Sequence, residues 1–178
     1  MHWEKYMATP ELNLITAASM GNLEAVKRLM PLEPPGASQR QTLVFAALKD
    51  RAACIEALLP ICDQTAMNDA FAFAIKEGKF SAATVLLPHI TNIKYLKSAV
   101  GRSVHFNQRD FFTLALPKAC PIQQWKNCMD DHFLDQFGVA PSDTPLFWTW
   151  FYEEDTLRQR DVLNQHVGAV GSTSSRKL

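Results

Sequence analysis

Residues 13–31 read NLITAASMGNLEAVKRLMP, residues 42–60 read TLVFAALKDRAACIEALLP, and residues 70–88 read AFAFAIKEGKFSAATVLLP. Each stretch has 19 residues and ends in proline, and Pro31, Pro60 and Pro88 stand 29 and 28 residues apart. Small residues coincide at Ala17, Ala46 and Ala74, and again at Ala25, Cys54 and Ala82. Large apolar residues coincide at Leu14, Leu43 and Phe71, and at Leu29, Leu58 and Leu86. A shared period of this length is the signature of a stacked-repeat architecture.

Within each stretch the apolar spacing predicts two short helices. In the first unit Leu14, Ala17 and Ala18 share a face at i, i+3 and i+4. Gly21-Asn22 interrupts the run, and Asn22 is placed to cap a second helix whose face carries Leu23, Val26, Leu29 and Met30. The interruption recurs at Asp50 and Gly78. Alanine at the centre of the first helix lets two backbones approach closely, and the final proline ends the pattern because it lacks an N–H and clashes with the preceding turn. So small a hairpin cannot bury its faces alone, and neighbours must stack on it. Residues 89–117 read as a fourth, degraded unit. Counting back from Pro117 sets Val100 against Leu14, Val104 against Ala18 and Phe112 against Val26. Ser103 then replaces the first alanine, and Arg109 falls where Leu23 and Phe80 stand. The competing expectation is a short helix that begins near Asn92 and ends at Gly101.

The Leu-x-x-Ala-Ala-x-x-Gly-x-Leu-x-x-Val-x-x-Leu core of residues 14–29 resembles the ankyrin repeat. The second unit keeps Leu43, Ala46, Ala47, Ile55, Leu58 and Leu59, with Asp50 in place of the glycine; the third keeps Ala74, Gly78, Phe80, Leu86 and Leu87. The units are shorter than the family's period of about 33 residues. Of the family's Thr-Pro-Leu-His opening only Thr42-Leu43 remains in part, and no Gly-Ala-Asp turn follows the second helix. The resemblance therefore covers paired helices over residues 12–90, and to 117 with the fourth unit, rather than projecting β-hairpin fingers. It implies a binding module without catalytic residues.

The flanks complete the expectation. Residues 1–8, with Trp3, Tyr6 and Met7, read as a flap over the first repeat, and Thr9-Pro10-Glu11 reads as a helix start. Residues 32–41 (LEPPGASQRQ) and 61–69 (ICDQTAMND) are expected as inter-repeat loops, with Asn68 or Asp69 capping the helix that follows. Beyond Pro117, Ile122, Trp125, Met129, Phe133 and Phe137 form one helical face closed at Gly138. A second helix is expected from Thr144-Pro145 to about His166, burying Phe147, Trp150, Phe151 and Leu157 and leaving Trp148 and Tyr152 off that stripe. The fold class expected is all-α: an ankyrin-like solenoid of three to four helical hairpins over 1–117, a helical C-terminal cap over 118–166, and a disordered tail over 167–178.

Composition bounds the function. The chain has 178 residues, is 47% hydrophobic, and balances 18 basic against 18 acidic residues. That neutrality argues against a broad nucleic-acid surface. Lys94, Lys97, Arg102 and Arg109 lie among Tyr95, Phe106 and Phe111 somewhat as a nucleic-acid stripe would, but a solvated face beside a core is the favoured reading, with protein binding as a further alternative. No apolar run reaches membrane-spanning length, and residues 1–12 lack a secretory signal, so a cytoplasmic protein with Cys54, Cys62, Cys120 and Cys128 reduced is expected. His132 beside Asp130, Asp131 and Asp135 lacks a second histidine at ligand spacing and reads as a solvated helix face. Neither Cys120 nor Cys128 carries an adjacent nucleophile motif, and no phosphate-binding loop is present. No catalytic, cofactor-binding or metal residue is assigned.

The expectation is a protein-interaction module with another protein as partner. Its candidate surfaces are the loops with the first-helix edges, or the backs of the second helices. The loop edge is favoured, with Arg40, Gln41, Asp50, Arg51, Gln64 and Asn68 as contact residues, because the repeat brings corresponding positions into register. Trp148 and Tyr152 are a second, aromatic candidate, since Trp, Tyr and Arg dominate interface energetics; for Trp148 the alternative is filling the seam between cap and stack. The competing classes are a small hydrolase or transferase with a site in the C-terminal segment, and a bacterial effector or toxin-neutralising protein.

Overall fold

The computed structural model describes residues 13–32, 36–120 and 131–173, and every regular element among them is helical. Helices pair as α1 (Leu14–Met20) with α2 (Leu23–Leu29), α3 (Ala37–Leu48) with α4 (Ala52–Leu58), α5 (Gln64–Lys76) with α6 (Phe80–Leu86), and α7 (Ile93–His105) with α8 (Arg109–Ala119). Two further helices follow, α9 (Asp131–Phe137) and α10 (Thr144–Thr173). The first helices pack in the order α1, α3, α5, α7, and the second helices in the order α2, α4, α6. Leu14, Ala17, Leu43, Ala46, Phe71, Ala74 and the second-helix residues Val26, Ile55 and Ala83 are wholly buried between them.

One turn conformation recurs in all four hairpins. Gly21, Asp50, Gly78 and Asn107 have φ of 80°, 55°, 67° and 54°. The N–H of the next residue then donates back to the carbonyl of Ala17, Ala46, Ala74 or Ser103, at 2.9, 2.9, 2.8 and 2.7 Å. This closure satisfies carbonyls that the helix end leaves free, and it requires the left-handed region. Glycine enters that region without strain, and Asp and Asn are among the few other residues that tolerate it. Because the turn recurs at 21, 50, 78 and 107, the fourth hairpin keeps the register of the first three. Gly138, with φ 62°, ends α9 in the same way, Val139 N–H donating to Leu134 O at 3.4 Å.

Several expectations are corrected. Helix α3 begins at Ala37 and α5 at Gln64, so Arg40, Gln41, Gln64 and Asn68 lie in helices rather than loops. The cap of α5 is Asp63, whose carboxylate accepts the Ala66 N–H at 2.7 Å, not Asn68 or Asp69. Nothing after Gly36 breaks a helix, and Ala, Gln and Arg favour one, so the segment that reads as loop extends α3 instead. Helix α7 starts at the Asn92 cap but runs through Gly101 to His105. In the first three hairpins the α-helix tightens to a 3₁₀ turn carrying Pro31, Pro60 or Pro88, whereas Pro117 lies inside α8, which continues to Ala119. The backbone of α10 is helical to Thr173, past the expected end at His166: once nucleated, each added residue contributes a hydrogen bond, and no proline intervenes. The expected N-terminal flap, and Ile122, Trp125, Cys128 and Met129, lie outside the described residues.

The last two helices close the far side of the fourth hairpin. Phe133 and Phe137 of α9 and Phe147, Trp150 and Phe151 of α10 are buried, and Phe112 of α8 meets Phe147 and Trp150 edge-on at 5.7 and 5.4 Å. A Cβ at Gly101 would lie 2.0 Å from the Phe137 carbonyl oxygen, so α9 approaches the backbone of α7 at the one helical position without a side chain. Leu157 departs from expectation, being 48% exposed. The buried stripe turns instead through Glu154, 7% exposed, which accepts the Thr113 hydroxyl at 2.8 Å. A buried carboxylate needs such a donor, and Thr113 on α8 provides it.

Candidate functional site

Most of the polar residues along the expected loop edge are bonded within the chain. The Asp50 carboxylate accepts the Ala82 N–H at 2.7 Å, capping α6 of the next hairpin, where Lys79 at the cap position makes no side-chain cap bond. Arg51 donates from Nε to the Ser19 carbonyl of the preceding hairpin at 3.2 Å. Arg40 pairs with Asp69 between α3 and α5. Gln64 donates to the His89 carbonyl at 2.9 Å and to the Asn68 side chain at 3.2 Å. Gln41 is exposed on α3. Trp148 is half-buried and stacks on Phe133 and Tyr152 at 6.0 and 5.7 Å, in the seam between α9 and α10. Tyr152 is more open and joins Arg109, Glu153, Thr156 and Leu157 around a groove of about 400 Å³ between α8 and α10. There Arg109 and Glu153 neutralise each other at 2.6 Å.

The first helices carry exposed aromatics at a repeated position. Counting five residues back from each left-handed turn gives Thr16, Phe45, Phe73 and Arg102, one per hairpin. Phe45 and Phe73 are 44% and 43% exposed, an unusual state for two large aromatics at matching positions of neighbouring helices. Equal spacing could have pointed to this row, but the sequence pattern alone draws attention to the residues that repeat inside the core.

Beside the row, Phe71, Ala72, Ile75 and Lys76 of α5 and Tyr95, Ser98 and Arg102 of α7 line a groove of about 270 Å³. Its origin is legible in the packing. Phe111 occupies the position that Ala25, Cys54 and Ala82 hold in the other units. Its ring lies against Phe80 at 5.0 Å and Phe71 at 6.5 Å. A phenyl ring thus fills a seam where the others have a small side chain, and α5 meets α7 over fewer positions than it meets α3. The volume is small for a drug-sized ligand, which takes about 300–1,000 Å³ in a deep pocket, but it suits one or two side chains of a peptide.

The basic residues of the fourth unit have separate surroundings. Lys97 is held by the Gln136 side chain and sits over the Phe137 ring at 5.8 Å. Arg109 is paired with Glu153, and Phe111 is buried. Lys76 and Arg102 have no ion-pair or hydrogen-bonding side-chain partner among the described residues.

For chemistry, the closest arrangement is His105 Nδ1 with Asp143 Oδ2 at 3.0 Å. The Ser142 hydroxyl, however, bonds the same carboxylate at 3.2 Å rather than the imidazole, so Asp143 stands where a nucleophile's base would be needed. Cys54 and Cys120 are buried, and burial beside Asp63 pushes the Cys62 thiol up to about 11, so it stays protonated at neutral pH. No group of three His, Cys, Asp or Glu among the described residues is placed to hold a metal ion. No described helix is long and apolar enough to cross a membrane. Comparison with family models, curated proteins and solved structures finds no match.

Proposed function

We propose that this chain is a divergent ankyrin-like solenoid that acts as a protein-interaction module, and that it receives its partner on the first-helix face. The observation that carries the reading is the pair Phe45 and Phe73, half-exposed at matching positions of neighbouring helices, with Arg102 at the matching position of α7 lining an open groove. An interface core needs such rigid aromatic anchors, whose side-chain entropy cost on binding is low. The recurrent left-handed turn supports the solenoid half of the proposal, because it gives four successive hairpins one geometry. The loop-edge residues serve a different purpose here. Asp50, Arg51 and Arg40 tie hairpins together and Gln64 ties the start of α5 to the end of its own hairpin, so substituting them changes the stack as well as any contact made there. The test is affinity capture from a lysate of the source organism with the wild type and with Phe45→Ser/Phe73→Ser, checked for an equal melting temperature. A partner retained by the wild type and depleted at least about tenfold by the double variant is expected, since loss of two anchors removes more than about 1.4 kcal/mol. Identical capture profiles would contradict the proposal.

A further inference from the structure

The first helices differ from the second in charge as well as in exposed aromatics. Along α3, α5 and α7 the charged side chains are Arg40, Lys76, Lys94, Lys97 and Arg102, with Asp69 as the lone Asp or Glu, while α1 has none. Helices α2, α4, α6 and α8 mix Lys27, Arg28, Arg109 and Lys118 with Glu24, Glu56 and Asp110. The single acid of the first helices is taken by Arg40. That leaves Lys76 and Arg102, on opposite walls of the groove between α5 and α7, facing a space whose other polar groups are the hydroxyls of Tyr95 and Ser98. No carboxylate of the described residues lines it. The lining offers two cations and two hydroxyls above an apolar floor of Phe71, Ala72 and Ile75.

We propose that the first-helix face binds an extended acidic segment of a partner protein, its carboxylates on Lys76 and Arg102 and an apolar side chain between them in the groove. This rests on the binding-module reading above and specifies the chemistry of its partner. Arg102 suits the role because its guanidinium takes a carboxylate with two parallel hydrogen bonds, and Lys76 adds a point charge that tolerates several poses. Phe45 and Phe73 extend the apolar track away from the charged end, in the same row as Arg102. Adjacent helix axes lie about 10 Å apart, so positions 45 and 102 are separated by about 20 Å. An extended chain rising about 3.3 Å per residue covers that in about six or seven residues. The recognised unit is thus a short linear motif with acidic residues at one end and one or two large apolar residues at the other. Charge complementarity of this kind sets the orientation of the segment and its rate of capture.

The experiment selects ligands from a random ten-residue peptide library displayed on phage, with the full chain as bait at 150 mM salt. The expected winners combine Asp or Glu with Phe, Trp or Leu. A synthetic winner should then bind Lys76→Glu/Arg102→Glu at least about tenfold more weakly, and Lys76→Gln/Arg102→Gln more weakly by a smaller factor. It should bind Glu24→Lys, on α2, as it binds the wild type. Affinity should fall as salt rises, since the contacts are partly exposed charges. Selection of neutral or basic peptides, selection of nothing, or acidic winners indifferent to both double variants would overturn the proposal. So would tight binding of a single-stranded ten-nucleotide DNA in place of any peptide. Failure here is separable from failure of the module reading: a lysate partner lost on Phe45→Ser/Phe73→Ser but lacking an acidic segment leaves the module and removes the motif.

Discussion

Asp50 shows how much one residue can carry in a repeat this small. It holds a φ of 55° at the hairpin turn, and its carboxylate caps the second helix of the following hairpin through Ala82 N–H. The two demands explain why aspartate stands here when the first and third hairpins have glycine, which meets the first demand but not the second. Asp50→Ala loses both, at about 1 kcal/mol for the cap and about 1 kcal/mol for the left-handed backbone. Asp50→Asn keeps both. Urea titration should show the alanine variant unfolding at clearly lower denaturant and the asparagine variant close to wild type; equal midpoints for all three would mean that Asp50 neither caps α6 nor holds the turn. The sequence identified Asp50 as an interruption between helices. Its second role was hidden because a cap donated by the preceding hairpin leaves no local signature: Lys79, at the start of α6, looks like an uncapped terminus.

At the scale of elements, the sequence was most informative where periodicity and turn chemistry agree. The first three hairpin pairs, the closure at Gly138 and the burial of Phe147, Trp150 and Phe151 follow from apolar spacing taken with the glycine and proline signals. It was least informative about how soon a helix resumes after a turn, as at Ala37 and Gln64, because polar residues such as Arg40 and Gln64 satisfy a helix surface as well as a loop. It also concealed Glu154, since a charged residue interrupts a hydrophobic pattern unless its partner, here Thr113 on another helix, is known. Gly101 was ambiguous for a similar reason: glycine within a helical pattern marks either an end or a close approach. The close approach makes a prediction with a distinctive sign. An undisturbed mid-helix Gly→Ala change stabilises by about 0.5–1 kcal/mol. At Gly101 the new methyl meets the Phe137 carbonyl, so Gly101→Ala should instead destabilise by about 1–3 kcal/mol through overpacking. A raised denaturation midpoint would show that α9 does not dock on α7.

For the whole molecule, packing and the proposed recognition divide between two surfaces of each hairpin. One side of every first helix enters the shared core, with Ala17, Ala46 and Ala74 where backbones come close in the first three and Ser103 in the fourth; the other side carries Thr16, Phe45, Phe73 and Arg102 in register. Phe111 stands where the other units carry Ala25, Cys54 and Ala82, and its ring meets Phe71, which lines the groove between α5 and α7. The candidate site was therefore partly written in the repeat, as the residues between the conserved spacings of the core, and partly dependent on a packing defect that no periodicity records. The central proposal is that a protein partner docks on this first-helix face. Its most direct test places the photo-crosslinking residue p-benzoylphenylalanine at position 45 or 73 of the full chain, and at position 27 or 56 on the second helices as controls, in source lysate. A discrete protein adduct formed from positions 45 and 73 and absent from 27 and 56 is the result predicted; adducts from 27 or 56 alone, or from none of the four, would contradict it.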